Sequence, residues 1–424
     1  MHIASDTRRL DSGLLLGIAV VGLVVGALGA RDPAFAVVVA MLATFLAFTA
    51  TRPILAAVVS LPALYAFQSV GVGGGLGFSD AALVAAAMLS LPALAHSATL
   101  HGLSVANRAF AAYVLLLLPS LLANPSAAAG REVVHRAILV LGAALIGAWL
   151  VHEHAATPAL RLLVLASMLM SIASIEVTIA TGFDAAQPFG YNKNYAGSLL
   201  TLTLLTVLCA PDHVRLPPLL RLPTIALLTA GSLACQSRGA LLGAAAGGLV
   251  WLLAPRQTFG LKSARNRIAA IALAATFTAY ASYSVQQQLT SKDSTTNSAG
   301  VRVNVERYTR ELWRTSPVVG IGIRYFTTRD YGPLGQDPNN VFDAELAEAG
   351  LVGTAGFVLL HGTVLLALWR RRRSQLGLAA LAVVAAQLLH GQFDIYWSSG
   401  ISPLPFLLAG MALAAVPAVG PTDD

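Results

Sequence analysis

The chain has 424 residues, of which 56% are hydrophobic and only 11% charged, and its formal net charge is +7. Soluble globular proteins carry about 25% charged residues, so this composition excludes a soluble enzyme and puts the chain in a lipid bilayer, with membrane lipids around it. The arginines are spread over many polar breaks, which points to membrane topology and an anionic substrate, with no nucleic acid as partner.

A membrane-spanning helix needs about 20 mostly apolar residues, within roughly 17–25. In chain order, apolar runs lie at 13–29, 34–50, 53–68, 80–97, 108–123, 136–151, 160–182, 195–210, 222–236, 239–254, 267–284, 350–369, 376–391 and 402–418. Several are short and merge or re-enter, so about 12–14 true spans are expected. The runs are continuously apolar and rich in Leu, Ala and Gly, whereas barrel strands alternate, so the spans are helices. The expected fold is an all-α polytopic membrane protein. It divides into an N-terminal transmembrane bundle (1–284), a large polar loop (285–349) and C-terminal transmembrane helices of the same bundle (350–424).

Orientation follows from the basic residues. Arg8 and Arg9 precede the first run, which reads as a retained span with no cleaved signal peptide. With the N-terminus inside, Arg52, Arg108, Arg161, Arg215, Arg221 and the block Arg370–Arg373 fall in the cytoplasm. The short outer loops keep only Arg31, Arg131, Arg136, Lys193 and Arg238. Both termini are then cytoplasmic and the large loop lies outside. Trp251 and Trp369 fall at predicted interfaces, as aromatic belts do. Cys209 and Cys235 read as packing residues, since two cysteines in apolar runs make no disulfide framework.

Five motifs gather on the outer face. Ser237-Arg238-Gly239 separates two apolar runs, and a charge so near the membrane is costly and tends to be functional. A guanidinium also offers a planar fork of donors to phosphate oxygens; the alternative is an interfacial arginine that reaches for water. Arg302 opens an amphipathic stretch, Val301–Arg314, which also carries Arg307. Pro338-Asn339-Asn340 leads into a helix that Asn340 is suited to cap, with Asp343 at its positive end. Lys193 and Asn194 lie in a polar turn before the run at 195, where the lysine suits a phosphate as a point charge. His390 and Asp394 share a helix end, where the spacing allows a pair and the alternative is a satisfied histidine that closes the helix. The glycine-rich stretch 71–77 has no preceding strand and is a loop, not a dinucleotide fingerprint. His152 and His154 have no further converging ligands, so no metal site is expected.

The order of these words resembles the O-antigen ligase and O-antigen polymerase superfamily, the ligases most closely, over roughly residues 185–400. Ser237-Arg238-Gly239 is similar to that family's Ser-Arg-Gly turn. Arg302 follows in the large loop, then Ser316-Pro317 with Gly320-Ile-Gly322 and Phe326. Pro338-Asn339-Asn340, the Glu345–Gly353 helix and His390-Gly391-Gln392-Phe393-Asp394 complete the series, and Asn194 resembles an asparagine before a helix.

The resemblance implies a GT-C-like glycosyltransferase in the bacterial inner membrane with its active site in the periplasm. It implies transfer of a saccharide from a polyprenyl-pyrophosphate carrier to a lipid A–core hydroxyl, with inversion and without metal or cofactor. Arg238, Arg302 and Asn339 would be catalytic. Lys193, Asn194, Arg131, Arg136, Arg307, Asn340, Asp343, His390 and Asp394 would bind substrate. The ligase pattern reads Pro-His-Asn where this chain has Pro338-Asn339-Asn340, and an asparagine cannot act as a base near neutral pH. A ligase with a weakened base, a ligase whose base is Asp337, Asp343 or Glu345, and a polymerase-like relative that needs no histidine all fit the departure. Polymerase, protein O-oligosaccharyltransferase and lipid-linked saccharide transporter are the other functions weighed; transporters build their sites at midplane on broken helices.

Overall fold

The computed structural model describes residues 49, 51–65, 78–95, 97, 99–254, 298–328, 338–394, 396–397 and 400–415. Two compact units divide the chain, Met1–Ala56 and Ala57–Asp424. Of the first, only Thr49 and residues 51–56 are described, so the account below concerns the second. The expected spans at 13–29, 34–50 (Thr49 apart) and 267–284 and the glycine-rich stretch 71–77 lie outside the described residues.

The described residues are helical and contain no strand. In chain order the principal helices are α1 (Ile54–Ala63), α2 (Phe78–Leu94), α3 (Thr99–Ala123), α4 (Ala127–His152, with a π-helical turn at Ile138–Gly142) and α5 (Ala156–Ala180). There follow α6 (Lys193–Cys209), α7 (Pro218–Ala234), α8 (Arg238–Leu252), α9 (Ser298–Thr315), α10 (Val341–Arg370), α11 (Gln375–His390) and α12 (Pro403–Ala414). Among the described residues four helices are long and apolar enough to cross a membrane: Leu100–Ala123, α4, α5 and α10. The protein is therefore a helical membrane protein. Helices α7, α8 and α11 are apolar but have 15–17 residues. That makes them about 23–26 Å long, short of a hydrocarbon core of about 30 Å.

Short polar side chains start these helices. Ser126, Asn192, Ser237, Asn340 and Ser374 each stand at an N-cap and accept a backbone N–H of the first turn. Nearly every side chain of α6, α11 and α12 is buried, so these three form the centre of the bundle. Cys209 and Cys235 are both buried as expected, with the Cys235 thiol 3.6 Å from the Ser174 hydroxyl of α5. Trp369, near the end of α10, is 45% exposed and lies 4.1 Å under the Arg372 guanidinium.

The apolar run expected at 350–369 proves to be the second part of a longer helix. α10 starts at Val341 and is broken at Gly350, where φ is 65° and ψ −169°, a backbone state open essentially to glycine alone. The segment 316–322, read from sequence as part of a polar loop, docks against this break. The N–H groups of Leu351 and Val352 donate to the carbonyls of Pro317 (2.9 Å) and Val318 (3.2 Å). In return the N–H groups of Ile321 and Gly322 donate to the carbonyls of Ala347 (2.9 Å) and Glu348 (3.0 Å). Ser120 on α3 donates to the same Glu348 carbonyl at 2.9 Å, and the Asn124 amide donates to the Gly320 carbonyl at 3.2 Å. A helix break among membrane helices is tolerated when protein groups meet the freed backbone in this way.

Gly350→Val tests the break. A β-branched residue there adds backbone strain of about 1–3 kcal/mol, and its Cβ would also overlap the Val318 carbonyl. The apparent Tm of the detergent-purified variant is expected well below wild type; an unchanged Tm means that the break is not held as described.

Candidate functional site

Segments far apart in sequence reach one end of the bundle. The N–H of Val341, first residue of α10, donates to the Gly391 carbonyl at the end of α11 at 2.7 Å. α8 runs antiparallel to α11 at backbone contact, through glycines at every fourth position. A Cβ at Gly239 would stand 3.0 Å from the Phe393 Cβ and 3.1 Å from the His390 ring. At Gly243 it would stand 2.7 Å from the Ala386 carbonyl oxygen, and at Gly247 2.8 Å from that of Ala382. Small residues let membrane helices approach this closely. Gly197 on α6 packs against Ser237 in the same manner, so Lys193, Arg238, Asn340 and His390 share an end.

A cavity of about 490 Å³ opens there, lined by Arg238, Leu242, Arg302, Val303, Val305, Glu306, Pro338, Asn339, Asn340, Asp343, Gln392 and Phe393. Lys193 stands within electrostatic reach of both Arg238 and Arg302. The helices that begin at Lys193, Arg238 and Val341 add the positive ends of three macrodipoles. Lys193, Arg238, Arg302 and these helix ends together suit an anion, with Glu306 and Asp343 as the carboxylates in the same lining. Burial pulls the Arg302 guanidinium below its ordinary value while Asp394 raises it again; arginine stays cationic at any working pH. His390 is 1% exposed and its ring lies 3.8 Å from the Asp394 carboxylate. Asn340 caps α10 by accepting the N–H groups of Phe342 (3.0 Å) and Asp343 (3.4 Å), as its place before the helix predicts.

Of the expected site residues, Arg238, Arg302, Asn339, Asn340 and Asp343 line the cavity, and Lys193, His390 and Asp394 stand around it. Asn194 lies in the first turn of α6, and the capping side chain is Asn192, which accepts the Asn194 N–H at 2.8 Å. Arg131 is exposed on α4. Arg307 is exposed on α9, where it donates to Asn304 at 3.0 Å.

Arg136 is placed elsewhere, in a buried ion-pair cluster beside the cavity. Its Nε donates to Glu132 at 3.0 Å and its Nη1 donates to Glu345 and to the Tyr113 hydroxyl. The Trp397 indole N–H donates to Glu345 at 2.7 Å, and the guanidinium lies 4.8 Å from the centre of the Trp397 ring. Arg324 approaches Glu132 at 3.4 Å, and His135 bridges Glu132 and Asp80 at 3.6 and 3.1 Å. The cluster binds the first turns of α10 to α3 and α4. Glu345 is thereby occupied, Asp337 lies outside the described residues, and Asp343 is the candidate base that lines the cavity. Its Oδ2 is buried without a hydrogen-bond partner among the described residues, and its Oδ1 is 3.9 Å from Arg310.

No family model matches the chain, and no curated protein matches it.

Sequence reasoning overlooked Gln392 and Phe393 as lining residues, although both sit inside the His390–Asp394 motif it singled out. The apolar residues of the amphipathic stretch suit either the membrane surface or the bundle, and Val303 and Val305 wall the cavity. Nothing in the sequence joins Tyr113, Glu132 and Trp397 to Glu345.

Arg136→Ala separates the structural role from the substrate-binding role expected of this residue. Removing one partner of a buried ion pair costs about 3–5 kcal/mol, so a large fall in apparent Tm is expected. A variant with wild-type Tm that has lost only ligand binding assigns Arg136 to the substrate instead.

Proposed function

We propose that the protein is an O-antigen ligase-type glycosyltransferase. It moves a saccharide from a polyprenyl-pyrophosphate carrier to a lipid A–core hydroxyl on the periplasmic face of the bacterial inner membrane. The observation that carries this reading is the convergence of Lys193, Arg238 and Arg302, from three separate segments, on one cavity at the helix ends. Donors aimed at the place where negative charge develops are the usual means of stabilising a departing group. Arg238 and Arg302 hold the pyrophosphate, and Lys193 adds a third positive charge. The apolar side of the lining, Leu242, Val303 and Val305, suits the start of a lipid tail, while the polar side suits sugar hydroxyls.

The acceptor oxygen attacks the anomeric carbon. The bond from that carbon to the pyrophosphate oxygen breaks, and the pyrophosphate leaves with the electron pair. The acceptor proton passes to Asp343, while Asn339 orients the hydroxyl by hydrogen bonding. This places the base on a carboxylate four residues after the asparagine that stands where the ligase pattern has histidine. His390 and Asp394 support the site from behind, with Asp394 also restraining Arg302.

Arg238→Ala and Arg302→Ala are each expected to lower transfer by at least about 10²–10³-fold, with the protein still folded in the membrane. Full activity in either variant removes the pyrophosphate assignment. Asp343→Asn is expected to lower kcat by about 10²–10⁴-fold while donor binding persists.

The decisive assay is transfer from a polyprenyl-pyrophosphate-linked saccharide to purified lipid A–core, comparing the wild-type chain with Asn339→His. Both are expected to transfer. Transfer by the histidine variant alone moves the base to position 339. Transfer by neither folded protein overturns the ligase reading in favour of polymerisation or another acceptor.

A further inference from the structure

The end of the bundle opposite the cation cavity carries a second site. A cleft of about 610 Å³ opens there, and Val207, Asp212, Arg215, Leu216 and Arg221 are among its lining residues. α6 links the two sites: its 17 residues separate them by about 25 Å at a rise of 1.5 Å per residue. The positive-inside count assigns this end to the cytoplasm.

The cleft is built around one turn. Residues Pro211–Val214 form a short helical turn that stops at Arg215, whose φ is 51°. Arg161 of α5 fixes that stop by donating from Nε to the Val214 carbonyl at 3.0 Å and from Nη2 to the Arg215 carbonyl at 2.7 Å. The Arg215 Nε donates to the Asp212 carbonyl at 3.1 Å, which orients its guanidinium. The Gln375 amide of α11 donates to the Asp212 carboxylate at 2.5 Å. Among the described residues no carboxylate pairs with Arg215 or Arg221. Among the described residues, three arginines (Arg161, Arg215, Arg221) stand against one aspartate (Asp212), so this corner is net positive. Beside it, on the first turns of α7, Leu219, Leu220 and Leu222 are 85%, 52% and 73% exposed.

A cationic cleft at a membrane-helix end, flanked by leucines, presents two chemistries side by side. Arginine forks suit phosphate oxygens, and the leucines suit hydrocarbon. Basic pockets between membrane helices on the cytoplasmic side bind the headgroups of anionic lipids. We propose that this cleft binds the headgroup phosphate of an anionic phospholipid, with Arg215 and Arg221 on the phosphate and Leu219, Leu220 and Leu222 along the acyl chains. Arg161 is a positioning residue, because its donors are engaged on the Val214 and Arg215 carbonyls. This site is independent of the transfer reaction proposed above.

The test uses the full chain in neutral detergent and reads apparent Tm during titration with phosphatidylglycerol, phosphatidylcholine or inorganic phosphate. Wild type is expected to gain Tm with phosphatidylglycerol and not with phosphatidylcholine. The double variant Arg215→Gln/Arg221→Gln, folded as judged by its Tm without lipid, is expected to weaken that binding at least tenfold. Arg370→Gln/Arg372→Gln, at the same end but outside the cleft, is expected to keep it. An equal response to phosphatidylcholine, or a full response in the Arg215/Arg221 variant, overturns the proposal. So does inorganic phosphate that reproduces the whole gain, because the cleft then takes a free anion. If the Arg215/Arg221 variant does not fold, Leu220→Gln/Leu222→Gln decides: loss of the phosphatidylglycerol response supports the lipid and retention overturns it.

Discussion

The placement of the first nine residues of α10 governs everything at the cavity end. This half-helix holds Asn340 and Asp343 at its mouth and Glu345 and Glu348 on its inner side, and it is separated from the rest of α10 by the turn at Gly350. Two different interactions fix it. From below, segment 316–322 exchanges backbone hydrogen bonds with both sides of the break. From the side, Arg136 and Tyr113 hold Glu345 from α4 and α3. The backbone exchange supplies direction, since hydrogen bonds at about 3 Å allow little rotation of the half-helix. The ion pair supplies discrimination, because any arrangement that withdraws Glu345 leaves the buried Arg136 guanidinium with Glu132 as its one carboxylate partner.

This division explains why one end of the protein can concentrate positive charge without coming apart. Lys193, Arg238 and Arg302 repel one another, and burial raises the cost for Arg302. Two features offset the repulsion. Asp394 sits close enough to Arg302 to counter part of its charge. The second is mechanical: α8 is locked to α11 by glycines 239, 243 and 247, so Arg238 cannot drift from the others without opening a backbone contact. A site arranged this way is preorganised, which is the condition under which fixed charges are worth most to a reaction that creates negative charge.

Much of the local structure was legible in the sequence. Ser237, Asn340 and the amphipathic stretch from 301 behave as their residue types dictate, because capping and helical periodicity depend on near neighbours. The convergence of Arg238, Arg302 and Asn339 was an inference from motif order. All three line one cavity, which neither residue type nor spacing required. The errors share one physical origin. The sequence offers Glu345 as a base and Arg136 as a substrate ligand, because charge in a sequence is read as contact with water or ligand. Here the partners lie on other helices, with Glu345 209 positions from Arg136. Pairing at that distance is a property of the packed bundle, and no local pattern announces it.

The two ends of the bundle also differ in how their arginines are used, and the difference follows from the helix ends they occupy. At the cavity end, arginines stand with helix N-termini, so side chains and backbone dipoles act in the same direction on an anion. At the opposite end, Arg161 donates to the last carbonyls of a short turn and Arg371 to the Ala415 carbonyl after α12. There the guanidinium groups satisfy acceptors that a helix C-terminus leaves exposed. An arginine committed to carbonyls has fewer donors left for a ligand. What distinguishes Arg215 and Arg221 from Arg161 and Arg371 is therefore the number of donors not already engaged by the backbone. Arg238 and Arg302 line a cavity, whereas Arg136 closes a buried cluster. In a protein this poor in charge, where an arginine's donors are directed says more about its role than its position in the chain.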